Sequence, residues 1–151
     1  MEMSGSDRIA APKEAVWAAL NDPAVLQQCI PGCQKLEKVS DNEMTATVTL
    51  KVGPVKASFS GKVTLSDIDA PNSYRITGEG TGGVAGFAKG GANVRLEQDA
   101  DGTMLHYDVD AQIGGKIAQL GSRLIDSTAK KLAGEFFTKF GSVVAGQDNN
   151  G

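Results

Sequence analysis

Apolar and polar positions change their spacing twice along this chain. Met1 to Ile9 alternates weakly and predicts a first strand. After it, Ala11-Pro12-Lys13-Glu14 opens a helix, since proline is tolerated in the first turn and an acidic residue suits the positive end of the dipole. Val16, Trp17 and Leu20 give that helix one apolar face. Asn21-Asp22-Pro23 breaks it and starts a second, from Pro23 to about Cys29, which Ile30-Pro31-Gly32 ends.

From there the period falls to two. Met44, Ala46, Val48, Leu50 and Val52 alternate with Thr45, Thr47, Thr49 and Lys51. Beyond the Gly53-Pro54 corner, Val55, Ala57, Phe59, Gly61, Val63 and Leu65 continue the inner row. Tyr74, Ile76 and Gly78 follow, then a glycine-rich hairpin between Gly78 and Gly91, then Ala92, Val94 and Leu96. Leu105, Tyr107, Val109, Ala111 and Ile113 make the last strand. With Gln34 to Val39 this predicts seven strands in an antiparallel meander, one face wet and one buried. The period then returns to 3.6. Gly121, Ile125, Ala129, Leu132, Phe136, Phe140 and Val143 form one stripe on a final helix expected from Lys116 to about Val144. Ile117, Leu120 and Leu124 widen the apolar face only at its start. The fold class is therefore α+β: a curved sheet wrapped around a long C-terminal helix.

The 151 residues, 40% of them apolar, suit a single domain over residues 1–146. The polar tail, Gln147 to Gly151, has nothing to bury and is expected to be disordered. A net charge of -3 disfavours nucleic acid, because no basic excess exists to neutralise phosphates. There is no secretory signal pattern, and no apolar run approaches the ~20 residues that span a bilayer. The expectation is a cytoplasmic chain.

Candidate chemistry is sparse. Cys29 and Cys33 read as reduced thiols, and a structural zinc site would need ligands beyond the single His106. His106 falls on the polar side of its strand with Asp108 and Asp110, which reads as a solvated face. Ser122, Ser127 and Ser142 have no histidine within reach in sequence, so a serine triad is not expected. Gly78-Glu79-Gly80-Thr81-Gly82-Gly83 fits G-x-G-x-x-G, but a strand pattern follows it where a dinucleotide site needs a helix. The expectation is a protein that is not an enzyme and binds no metal.

The inner row is rich in small residues: Ala46, Ala57, Gly61, Gly78, Ala88, Gly90, Ala92 and Ala111. Two readings stand side by side. Small residues let the helix sit close to the sheet, or they leave a cavity for an apolar guest. In the second reading Phe59, Ile76, Val94, Ile125 and Leu132 supply the apolar wall. Tyr107 and Thr128 are its polar handles, though Tyr107 fits a core role as well. Phe87, Leu120 and Leu124 form a mobile gate, or alternatively a partner patch.

Several blocks resemble the carbon monoxide dehydrogenase G-subunit family. They are Met1-Glu2-Met3, Val16-Trp17-Ala18-Ala19-Leu20-Asn21-Asp22-Pro23, Cys29-Ile30-Pro31-Gly32-Cys33, Val52-Gly53-Pro54-Val55-Lys56, Gly86-Phe87-Ala88-Lys89-Gly90-Gly91-Ala92, and the run from Gly114 to Ile125. The resemblance spans Met1 to about Val144. It implies a START-like (SRPBCC), helix-grip fold: seven antiparallel strands, two short helices after the first strand, and a long C-terminal helix over a hydrophobic cavity. It also implies an accessory, noncatalytic partner of molybdenum-containing dehydrogenase subunits, coupling that enzyme to the quinone pool or recruiting it to the inner membrane. The ligand so implied is a quinone or lipid-like molecule, with no covalent cofactor and no catalytic residues. Some members carry an apolar C-terminal anchor, and the polar tail here departs from that pattern. An assembly factor without a small ligand is the alternative reading.

Overall fold

The computed structural model describes the backbone of residues 1–150 and the side chains of residues 1–146. The tail expected at 147–151 lies outside the described side chains. Strand β1 (Glu2–Ile9) leads into helices α1 (Lys13–Leu20) and α2 (Pro23–Cys29). The meander follows as β2 (Cys33–Ser40), β3 (Glu43–Val52), β4 (Val55–Asp69), β5 (Ser73–Thr81), β6 (Phe87–Asp99) and β7 (Gly102–Gly114). Helix α3 (Ser122–Asn150) closes the chain. The seven strands form one sheet in the order β1-β7-β6-β5-β4-β3-β2, and every neighbouring pair is antiparallel.

Local chemistry sets the element ends. The Asp22 side chain accepts a hydrogen bond from the Ala24 N–H, and Pro23 occupies the first turn of α2, where its missing N–H costs nothing. The junction before α3 differs from the sequence expectation of one helix from Lys116. Lys116–Leu120 is a single 3-10 turn, and Gly121 at φ +98° interrupts it before α3 begins. That conformation is open to glycine and strained for other residues. Ile117 and Leu120 therefore belong to a loop, which explains why they fall off the helical stripe.

Curvature of the sheet depends on glycine. A Cβ on Gly61 would collide with the Glu79 carbonyl oxygen on β5, and one on Gly90 would collide with the Asp110 carbonyl oxygen on β7. At these points the neighbouring backbones approach more closely than any side chain allows. Gly78 is different: its Cβ would meet the Lys62 carbonyl oxygen at 3.4 Å and Val63 at 3.6 Å, which are ordinary contacts.

Burial is concentrated at the two ends of the sheet. At one end Ile9, Val16, Val25, Leu65, Tyr74, Val94, Leu96, Leu105, Phe140 and Val144 pack together. The α1 approach is fixed there by Thr103, whose fully buried hydroxyl donates to the Ala11 carbonyl at 2.8 Å. A smaller cluster, Leu26, Leu36 and Met44, joins α2 to β2 and β3. At the other end Val52, Ala85 and Ile117 pack with Phe59, Ile113, Leu124 and Ile125.

The distinction between the glycines is measurable by thermal or urea denaturation. Gly61→Ala is expected to destabilise the fold by about 1–3 kcal/mol, as overpacking does. Gly78→Ala should cost much less, because its methyl group finds space.

Candidate functional site

Between the packed ends the concave face is under-filled. Along β3, Met44 and Val52 are buried, whereas Ala46, Val48 and Leu50 between them are only half-buried. Along β5, buried Tyr74 gives way to half-exposed Ile76, Gly78 and Gly80. On β6 and β7 the same change runs from Val94 to Ala88 and from Leu105 to Ala111. These inward rows line a hollow of about 340 Å³ that is widely open to solvent. Its floor is Ala46, Val48, Phe59, Val63, Ile76 and Val109, with glycines and alanines between them. The volume lies in the range of small-molecule sites.

Helix α3 is anchored at both ends of this hollow. Leu124 and Ile125 join the cluster at one end, and Phe136, Phe137 and Phe140 the cluster at the other. Phe136 stacks on Phe140, with ring centroids 5.4 Å apart. Between these anchors Thr128, Ala129 and Leu132 occupy the same stripe, join no buried cluster, and stay half-exposed. The hollow itself is lined by strand residues.

The expected site residues separate accordingly. Phe59 and Ile76 line the hollow. Leu120, Leu124 and Ile125 pack in the end cluster beside it, and Thr128 and Leu132 sit on the intervening helix turns. Val94 is buried in the larger core, in one cluster with Leu96 and Leu105, and does not line the hollow. Tyr107 points inward but belongs to the core edge. Its ring covers Gly5 on β1 and stacks on Phe137 with centroids 5.2 Å apart. Phe87 is a correction. It pairs with Gly114 across the strands and its ring covers that glycine on the convex face, so it does not gate the hollow. Strand alternation decides this: Ala88, Gly90 and Ala92 point inward, and Phe87 therefore points out.

Asp7 is an inward residue that the sequence does not reveal. It shares the parity of Met3, Gly5 and Ile9, a row too weakly apolar to show its facing. Burial raises its carboxyl above the usual range. Burial, helped by the Asp7 charge, also raises the Tyr107 phenol. Both cysteine thiols are free and are raised by burial, which makes them poor nucleophiles.

The convex face carries the remaining polar chemistry. A depression of about 640 Å³ there is lined by Lys62, Arg75, Glu79, Lys89 and Asp110, whose charged groups suit water better than an apolar guest. Nearby, Ser6 Oγ lies 2.7 Å from His106 Nδ1, and Glu97 Oε2 lies 3.4 Å from His106 Nε2. Nothing in the sequence singles out Ser6, yet the three residue types are those of a hydrolytic triad. The three side chains lie on the convex face, apart from the hollow, and Ser6 sits on β1 at the edge of the sheet.

A curved seven-stranded antiparallel sheet, two short helices after β1 and a long closing helix define a helix-grip, START-like protein. The match to a family model spans residues 5–145, and the chain belongs to CoxG, the carbon monoxide dehydrogenase G-subunit family. Among solved structures it is similar to a conserved protein from Geobacillus kaustophilus, with 31% identity, 96% of this chain and 95% of that one covered, and a TM-score of 0.90. A Thermus thermophilus protein shares the fold at 15% identity, with 97% and 99% coverage and a TM-score of 0.73. So does the ZhuI aromatase/cyclase of Streptomyces sp. R1128, at 14% identity, 96% and 93% coverage and a TM-score of 0.66. No curated protein matches the chain in sequence. Among the described residues, no helix is long and apolar enough to cross a membrane.

The facing of Asp7 has a pH signature. Its raised pKa means the folded state favours the protonated form, so its contribution to stability falls as pH rises through the carboxylate range. Asp7→Asn should therefore raise the melting temperature at pH 7. The gain should shrink toward pH ~3, where the carboxyl is largely protonated in both states.

Proposed function

We propose that this chain is a noncatalytic accessory protein of a carbon monoxide dehydrogenase-like molybdenum enzyme. It holds an apolar ligand, a quinone or lipid-like molecule, in the concave hollow and couples the enzyme to the membrane. The observation that carries the reading is the hollow: small, apolar, inward side chains between two well-packed ends. An apolar guest that covers these half-exposed apolar side chains removes them from water. Burying ~300 Å² of guest surface at about 25 cal/mol per Å² contributes on the order of 7 kcal/mol before binding costs. Family membership supports the partner assignment.

The chemistry of the lining supports a container over a catalyst. The inward side chains around the hollow are those of Ala, Val, Ile and Phe, and the ionisable Lys62, Glu79, Lys89 and Asp110 at its margins alternate onto the opposite face. Without an acid or base directed at the guest, general acid–base chemistry has no agent there. The aromatase/cyclase that shares the fold keeps an enzymatic reading in view. The lining gives it no residues.

Gly78 provides the test, because a side chain there has room to enter the hollow without striking backbone. Native mass spectrometry of gently purified protein is expected to show a co-purifying lipid-like mass, and titration with a short-chain naphthoquinone should show saturable binding. Gly78→Leu should weaken that binding at least tenfold while leaving the melting temperature close to that of the parent. If neither a guest nor quinone binding is found and the dehydrogenase still co-purifies, the chain is an assembly factor and the hollow is incidental.

A further inference from the structure

Three turns meet at the end of the sheet that carries the cluster of Val52, Ala85 and Ile117. The Gly53 corner between β3 and β4 abuts Leu124 at the start of α3. The β5–β6 loop abuts the loop before α3, and a Cβ on Gly115 would collide with Gly86. This end is therefore one continuous surface built from residues 51–57, 82–89 and 112–125.

Two independent features mark it. The first is apolar exposure. Val84, at the tip of the β5–β6 loop, is 92% exposed, and Phe87 beside it is 43% exposed. Of the four exposed large hydrophobic residues, these two share this surface, while Val39 and Ile68 lie elsewhere. The second is charge. Lys51, Lys56, Lys89, Lys116 and Arg123 all fall in these three segments, and none of the chain's 18 acidic residues does. Among the described residues, none of the five bases is in an ion pair. A chain of net charge -3 thus has one end rich in bases around an apolar tip, with Glu79 opposite Lys89 and Asp126 at its margin.

We propose that this end docks on the surface of an anionic lipid bilayer, with Val84 and Phe87 entering the interface and the five bases meeting the headgroups. The combination fits a bilayer because an apolar group gains by leaving water while each lysine or arginine gains from the negative surface potential. A free phosphate would leave Val84 without a partner. The proposal rests on the apolar-ligand reading and gives it an orientation. Phe59 belongs both to the tip cluster and to the floor of the hollow, so docking by this end sets the hollow one layer of side chains from the lipid.

The test is co-sedimentation of the full chain with vesicles of phosphatidylcholine alone and of phosphatidylcholine mixed with phosphatidylglycerol. Binding is expected to the mixed vesicles, to weaken as salt rises, and to be slight with phosphatidylcholine alone. Lys51→Gln and Lys56→Gln should each reduce partitioning about fivefold, the equivalent of about 1 kcal/mol per basic residue near the surface. Val84→Asp, at a position with no packing to lose, should reduce it further. Lys38→Gln, which removes the same charge from β2, should leave partitioning unchanged. Absence of binding to the mixed vesicles overturns the proposal. So does equal loss from Lys38→Gln, which marks a non-specific charge effect. Retention of binding by Val84→Asp together with the tip lysine variants also overturns it, and assigns the surface to another partner, such as an acidic protein. Naphthoquinone binding by the same preparations separates the two readings: if it persists while vesicle binding fails, docking is wrong and the ligand reading stands.

Discussion

The close approach of backbones at Gly61 and Gly90 is the constraint on which the rest of the structure depends. No side chain fits between β4 and β5 at Gly61, or between β6 and β7 at Gly90. Where Cβ atoms are absent, strands can bend more sharply, and the inner face of a sharply bent sheet has fewer side-chain atoms to fill it. The hollow follows from the same residues that permit the bend: glycine and alanine set the curvature and leave the volume inside it.

The ends of the fold stabilise this under-filled centre. Phe140, Ile9, Leu105, Val16 and Val25 form a tight core with α1, α2 and the end of α3. The loop cluster around Val52, Ala85 and Ile117 holds the opposite end of α3. Helix α3 therefore acts as a strap fixed at two points, and its middle turns need not pack. On the proposed reading, stability and ligand capacity reside in different parts of the molecule, and Gly78 belongs to the second.

Much of this is legible in the sequence because strand alternation is a strong signal. Parity alone identifies the inward row of Ala46, Gly61, Gly78, Ala88, Gly90, Ala92 and Ala111, and those residues line the hollow. Helices α1 and α2 are legible from Pro12, Asp22 and Pro23. Other features depend on tertiary geometry. Phe87 resembles a gate because it is an aromatic in a glycine-rich hairpin, although the parity of Ala88, Gly90 and Ala92 turns it to the other face. The sequence pattern starts α3 too early because Gly121 resembles any other member of a helical stripe until its φ is known. Asp7 gives no signal because β1 alternates too weakly to show its facing. The line from Ser6 through His106 to Glu97 joins residues about a hundred positions apart, and only sheet order brings them together. The basic tip likewise assembles from three turns that are scattered in sequence.

The chain belongs to the CoxG family, and its helix-grip sheet curves around the hollow. The central claim is that this space takes an apolar guest. The most direct measurement is a ¹⁵N-edited NMR titration of the intact chain with a short-chain naphthoquinone. The account predicts saturable shift changes at the backbone amides of Ala46, Ile76, Gly78, Ala92 and Val109, with little change on the outer edge at Lys35 and Lys38. Shifts confined to the convex face, or no saturable change at the inward row, would contradict it.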